Sequence, residues 1–160
     1  MKTAYFIFGP EGSGTYMLAE AFVSVGCNYV DRAVEYVPDL SDEKIVARMS
    51  LPCAGKFIPP SLLYAPYRRA GYECIFMTIF RDANASRKSV MRRDSTRVYS
   101  QVWEEYKKAM EYITGFLSSG IAVSYEAFVD SPGYRKWLFE FYGLPAPTGE
   151  WFNANEKYYG

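Results

Sequence analysis

The sequence predicts an α/β fold of three layers, with a central parallel sheet and helices on both of its faces. Three observations carry that expectation. Apolar runs around Ala4–Phe8 and Glu73–Phe80 are nearly continuous rather than alternating, as in strands covered on both faces. Segments of helical period follow such runs in turn along the chain. The two segments best suited to bind an anion both fall at carboxyl ends of strands, where sheets of this kind bind ligands.

The chain opens in the order strand, turn, helix. Ala4-Tyr5-Phe6-Ile7-Phe8 is the strand and Gly9-Pro10-Glu11-Gly12-Ser13-Gly14-Thr15-Tyr16 the turn. Met17 to Val25 continues as a helix, with Met17, Leu18, Ala21, Phe22 and Val25 on its apolar face and Gly26 as its stop. A glycine-rich turn here aims several N–H groups into one concavity, and the helix adds its positive dipole end. The glycines, with Ser13 and Thr15, favour a phosphate ligand over a bare structural turn. The unit is P-loop-like without being a Walker A loop. Gly9 and Gly14 have the required spacing, but Thr15 stands where that motif needs lysine, which argues against an ordinary ATP or GTP hydrolase.

The remaining elements follow. Pro38 to Lys44 reads as a short helix with Ser41 as a cap, and Ile45 to Leu51 as a strand. Pro60 opens a helix through Leu62, Leu63 and Tyr67 that ends at Gly71. Glu73–Phe80 is a central strand, after which Asp82 caps the next helix. The longest helix runs from about Ser95 to Leu117. Its expected buried stripe is Val98, Val102, Tyr106, Met110, Ile113 and Phe116, with Glu104 and Lys108 paired outside. Ile121 to Tyr125 is a short strand. Ser131 caps a helix with Pro132 at its first position, turning Tyr134, Leu138 and Phe141 inward before Gly143 stops it. The tail from Ala146 to Gly160 lacks a period, but Trp151, Tyr158 and Tyr159 suggest that it packs back on the domain.

Arg81 leaves the carboxyl end of the central strand, and Ser89 lies about two helical turns further on. A guanidinium offers a rigid fork to phosphate, and a serine hydroxyl adds a hydrogen bond. The competing reading is an exposed Arg-Asp pair beside a solvated helix face.

Together, the glycine turn and the Arg81/Ser89 pair resemble the PAPS-dependent sulfotransferase family, in its small bacterial or phage-type form. Arg48-Met49-Ser50-Leu51-Pro52, the Ser124-Tyr125-Glu126 strand end, Phe141 to Pro145 and Asn155-Glu156-Lys157-Tyr158 resemble further family segments in a consistent order. The resemblance implies a single sulfotransferase-like domain over 1–160. It implies binding of 3′-phosphoadenosine 5′-phosphosulfate, with adenosine 3′,5′-bisphosphate as product and no metal. Gly12, Ser13, Gly14 and Thr15 would hold the 5′-phosphate, Tyr16 would flank the nucleotide, and Arg81 with Ser89 would hold the 3′-phosphate. A hydroxyl or amine acceptor would approach near Arg48. The chain departs from the family in two places. Gly12, after Glu11, stands where a basic loop residue is usual, and there is no histidine to act as base. Some sulfotransferases use a carboxylate from the segment after the second strand. Glu35 is the first candidate for that role here, and Asp31 the second. Lys56 is a candidate replacement cation, set against an exposed lysine without a role. Cys53 occupies the place of a histidine found in small bacterial relatives, and only Lys56 nearby could activate it.

Composition agrees. At 160 residues, 49% of them hydrophobic, the chain can bury a real core. Eighteen basic and eighteen acidic residues cancel, so no global field points to nucleic acid or a membrane surface. The run from Arg81 to Arg97 is locally basic and suits an anionic ligand, or a solvated helix face. Three cysteines without a Cys-x-x-Cys motif read as free thiols of a cytoplasmic protein, without leader or membrane span. The short chain leaves a homo-oligomer open as the way to complete an acceptor pocket. Two other classes stay open: a divergent P-loop phosphotransferase, and a non-catalytic nucleotide-binding protein that kept the fold.

Overall fold

Period-two burial organises the middle of the molecule. In the computed structural model, which describes residues 1–30, 40–53, 55–117 and 120–159, strand β1 spans Thr3–Pro10. Tyr5 and Ile7 enter one apolar cluster, and Ala4, Phe6 and Phe8 enter another. A strand buried on both faces needs helices on both faces. The first cluster is completed by helices α1 (Thr15–Val23), α5 (Tyr125–Asp130) and α6 (Pro132–Phe141). The second is completed by α2 (Ser61–Arg69) and α4 (Tyr99–Leu117). These are the three layers.

The sheet has the order β2-β3-β1-β4-β5, and every neighbouring pair is parallel. Here β2 is Asn28–Val30, β3 Lys44–Leu51, β4 Glu73–Phe80 and β5 Ile121–Ser124. From β1 the chain goes to the edge strand β2, returns to β3 beside β1, and then crosses to β4 and β5 on the other side. A crevice therefore opens at the carboxyl ends beside β1, the place where open α/β sheets bind ligands. Helix α3 (Ala83–Arg93) leaves β4 at this end, and the four-residue α7 (Glu156–Tyr159) returns to it.

Several local expectations are corrected by packing. Residues 40–43 form no helix and Lys44 already opens β3; the rest of the expected Pro38–Lys44 helix lies outside the described residues. Val98 precedes α4 and is exposed, whereas Val102, Ala109 and Ile113 are buried. Ala109, absent from the expected stripe, has the small side chain that lets the helix approach the sheet closely. Glu104 pairs with Lys107 at 2.6 Å, while the Lys108 ammonium lies 4.4 Å from the Phe57 ring centre. Strand β5 stops at Ser124, whose hydroxyl accepts the Ala127 N–H at 3.2 Å and so starts α5 at Tyr125. In α6 it is Phe139 that packs inward, 4.6 Å from Phe22, while Phe141 faces out.

Of the three expected caps, those at Asp82 and Ser131 form, while residues 40–43 hold no helix for Ser41 to cap. The Asp82 carboxylate accepts the Ala85 N–H at 2.8 Å, and the Ser131 hydroxyl accepts the Tyr134 N–H at 3.1 Å. Replacing Ser131 by alanine should cost about 1 kcal/mol. For a chain of this size that lowers the melting temperature by roughly 2–4 °C, measurable by calorimetry. An unchanged midpoint would mean that Pro132 alone sets the start of α6.

Candidate anion-binding site

The loop after β1 is shaped by contacts that exclude side chains. Gly12 has a φ of 83°, and a Cβ there would lie 2.5 Å from the Ser86 carbonyl oxygen of α3. Gly14 has a φ of 100°, and its Cβ would meet the Tyr125 ring at 2.7 Å. Left-handed backbone disfavours side chains at both positions even before these contacts. The Ser13 N–H closes the turn onto the Pro10 carbonyl at 3.0 Å. The Thr15 and Ser50 hydroxyls, 3.0 Å apart, tie the loop to β3. No side chain caps α1, and its first turn holds no acidic residue. Its terminal N–H groups are thus set to meet an anion.

Arg81 comes to the same place from β4. It is 8% exposed. Its Nη1 donates to the Gly12 carbonyl at 3.0 Å and its Nε to Asn155 Oδ1 at 2.6 Å. The guanidinium lies 4.4 Å from the Tyr125 ring centre and 5.4 Å from that of Tyr158. Its Nη2 is buried without a hydrogen-bond partner among the described residues.

Gly12, Gly14, Thr15, Tyr16, Arg48, Arg81 and Ser89 line one cleft of about 410 Å³. Residues far apart in the chain are thus brought together. Ser13 is not among them: it is 1% exposed and its hydroxyl packs toward Gly9, so it shapes the turn from behind. Glu35 and Asp31 lie outside the described residues. Lys56 does not line the cleft; its backbone pairs with that of Cys53, which is buried.

Arg93, Ser50 and Tyr125 line the cleft without having been picked out as site residues. Arg93 leans on Glu11 at 3.6 Å. Arg48 lies 5.2 Å from the Tyr16 ring centre and donates its Nε to the Tyr29 hydroxyl at 3.1 Å. Three guanidinium groups thus face one cleft in a chain with no net charge. Two other arginines of the basic run are committed elsewhere: Arg87 is buried 3.8 Å from the Trp103 ring centre, and Arg97 pairs with Glu11 and Glu105. The Glu20 carboxylate pushes the Tyr16 phenol up, by its charge and by a hydrogen bond. Tyr16 therefore faces the cleft as a neutral ring.

No protein-family model matches the chain, and no curated protein matches it in sequence. Among solved structures, the mouse sulfotransferase SULT7A1, complexed with PAP, aligns with a TM-score of 0.54 at 12% identity. The alignment covers 99% of this chain and 62% of the mouse chain. The fold is sulfotransferase-like. An uncharacterized protein from Eubacterium ventriosum aligns with a TM-score of 0.47 at 12% identity, over 77% of this chain and 88% of the other.

The sulfotransferase-like fold puts the glycine turn and the arginine of β4 at adjacent strand ends. Sequence reasoning did not assign Tyr125, Glu126, Asn155 or Tyr158 to the site. Their signal was present as short anchors, Tyr125-Glu126 and Asn155 to Tyr158, but nothing in either segment marks it as a neighbour of Arg81. Among the described residues no cluster of His, Cys, Asp or Glu could hold a metal ion, and no helix is long and apolar enough to cross a membrane. Cys27, Cys53 and Cys74 are free.

Proposed function

We propose that residues 1–160 are one sulfotransferase-like domain that binds 3′-phosphoadenosine 5′-phosphosulfate and transfers its sulfuryl group to a hydroxyl or amine acceptor. One observation carries this reading. Arg81 is buried, with two of its nitrogens hydrogen-bonded and Nη2 unpartnered among the described residues, beside a cleft edged by an uncapped helix start. An unpaired buried guanidinium N–H is costly, and an anion in the cleft removes the cost. The PAP bound to the mouse sulfotransferase supports the choice of anion.

In this reading the N–H groups of Gly12, Gly14 and Thr15 hold the 5′-phosphate, with Ser13 shaping their turn. Arg81 and Ser89 hold the 3′-phosphate, and Tyr16 flanks the nucleotide. Bound there, the cofactor supplies the transferable sulfuryl group. The charge that a basic loop residue would bring must come from outside the loop, because Gly12 has no room for a side chain. Arg48 and Arg93 line the same cleft and meet that need. Arg48 also marks where an acceptor would approach, with Glu35 as the proposed base.

Calorimetry with adenosine 3′,5′-bisphosphate, AMP and Mg-ATP tests the proposal. Micromolar binding that requires the 3′-phosphate supports it, and labelled-sulfate transfer to a panel of acceptors then tests the chemistry. Preference for Mg-ATP, or no binding, overturns it.

A further inference from the structure

The carboxy-terminal segment closes over the pair assigned to the 3′-phosphate, and the functional reading above leaves its tyrosine unused. Asn155 is 7% exposed. It accepts from Arg81 Nε at 2.6 Å and donates its Nδ2 to Glu126 Oε1 at 2.7 Å. The same glutamate oxygen accepts the Asp82 N–H at 2.9 Å. An amide has one oxygen face and one nitrogen face, so these partners orient it uniquely. The Ala154 N–H donates to the Tyr125 hydroxyl at 3.0 Å, and Lys88 Nζ donates to the Tyr158 carbonyl at 2.8 Å. Held this way, Tyr158 sets its ring 5.4 Å from the Arg81 guanidinium and hydrogen-bonds its phenol to the Ser89 side chain.

We infer that Tyr158 is the third ligand of the anion that Arg81 and Ser89 bind, its phenol donating a hydrogen bond to the 3′-phosphate. The inference rests on the nucleotide reading of the cleft and makes the carboxy-terminal helix part of its specificity.

Two physical arguments support it. The first is place. A phosphate that reaches both the free Nη2 of Arg81 and the Ser89 hydroxyl lies against a phenol already bonded to that hydroxyl. The Ser89 hydroxyl donates to the phenol oxygen, so the phenol keeps its own proton for the anion, a charge-assisted bond. Surroundings agree: burial raises the phenol, but the Ser89 hydrogen bond, Lys157, Arg81 and Arg92 outweigh it, leaving it below its ordinary value and a better donor. The second is preorganisation. Bonds from Tyr125, Glu126, Arg81 and Lys88 hold the segment without a ligand, so little ordering cost falls on binding. A tail that merely plugged the anion seat would have the opposite effect on affinity.

Tyr158→Phe keeps the ring over Arg81 and removes only the hydroxyl. By calorimetry, adenosine 3′,5′-bisphosphate should bind roughly ten- to hundredfold more weakly to this variant, the effect of one lost hydrogen bond to a charged group, while AMP binding stays unchanged. Unchanged or tighter binding of the bisphosphate overturns the inference. A second measurement reads the phenol directly: carbon-13 NMR of ring-labelled tyrosine in the intact chain, titrated with inorganic pyrophosphate. The Tyr158 resonance should shift in the unmodified protein and not in Arg81→Ala; a resonance that ignores pyrophosphate overturns the inference. The two readings fail differently. If pyrophosphate moves Tyr158 but the bisphosphate does not bind, the nucleotide reading falls and the three-residue anion seat stands. If the bisphosphate binds tightly and Tyr158→Phe is indifferent, the nucleotide reading stands and the tyrosine has no part in it.

Discussion

Arg81→Ala should weaken binding of adenosine 3′,5′-bisphosphate about 30- to 150-fold, the 2–3 kcal/mol of a hydrogen-bonded charged contact. The expectation follows from the surroundings of the side chain more than from its charge. Two of its nitrogens are engaged, by Gly12 and Asn155, and two rings lie beside the guanidinium. The remaining nitrogen is therefore held in place before any ligand arrives. Arg81→Lys is the informative companion. An ammonium keeps the charge but cannot reach Gly12, Asn155 and a ligand in one plane, so most of the loss should persist. Calorimetry gives the affinities, and a urea melt of each variant separates lost contacts from lost fold. Unchanged affinity in folded Arg81→Ala would remove the residue from the site.

Gly12→Ala should destabilise the fold by about 3 kcal/mol. Left-handed backbone costs an alanine roughly 1–2 kcal/mol. The rest comes from the Ser86 carbonyl, 2.5 Å from the added carbon, which cannot rotate away because it belongs to helix α3. The urea midpoint should fall with an unchanged slope. Gly12→Lys should fare no better, although a basic residue, lysine or arginine, is usual there in the family that the sequence resembles. The close approach of α3 to the loop leaves no room for it. A Gly12→Lys protein as stable as the parent would mean that α3 can move aside, and the roles given to Arg48 and Arg93 would lapse.

Much of the architecture was legible in the residues because its causes are local. Phe6 and Ile7, side by side and both apolar, require cover on both faces wherever the strand ends up. Asp82 and Ser131 cap helices through atoms three residues away. The errors fall where a neighbour decided instead. Phe139 rather than Phe141 packs inward because Phe22 of α1 stands there. Tyr125 opens a helix rather than ending a strand because Ser124 caps it, and its ring then fills the space beside Gly14 and Arg81.

The candidate site divides the same way. Backbone shape and strand ends are written in short stretches of chain, so Gly12, Gly14, Arg81 and Ser89 could be picked out and assigned to one anion. The orientation of Arg81 could not. It depends on Asn155, whose partners lie 74 and 29 residues away, in a tail with no period to predict its path. A hydrogen bond has no sequence signature when its two ends meet only after the sheet has formed. Residue types and local spacing therefore determined the layered fold, while tertiary packing alone decided which atoms of Arg81 are held and which one has no partner among the described residues.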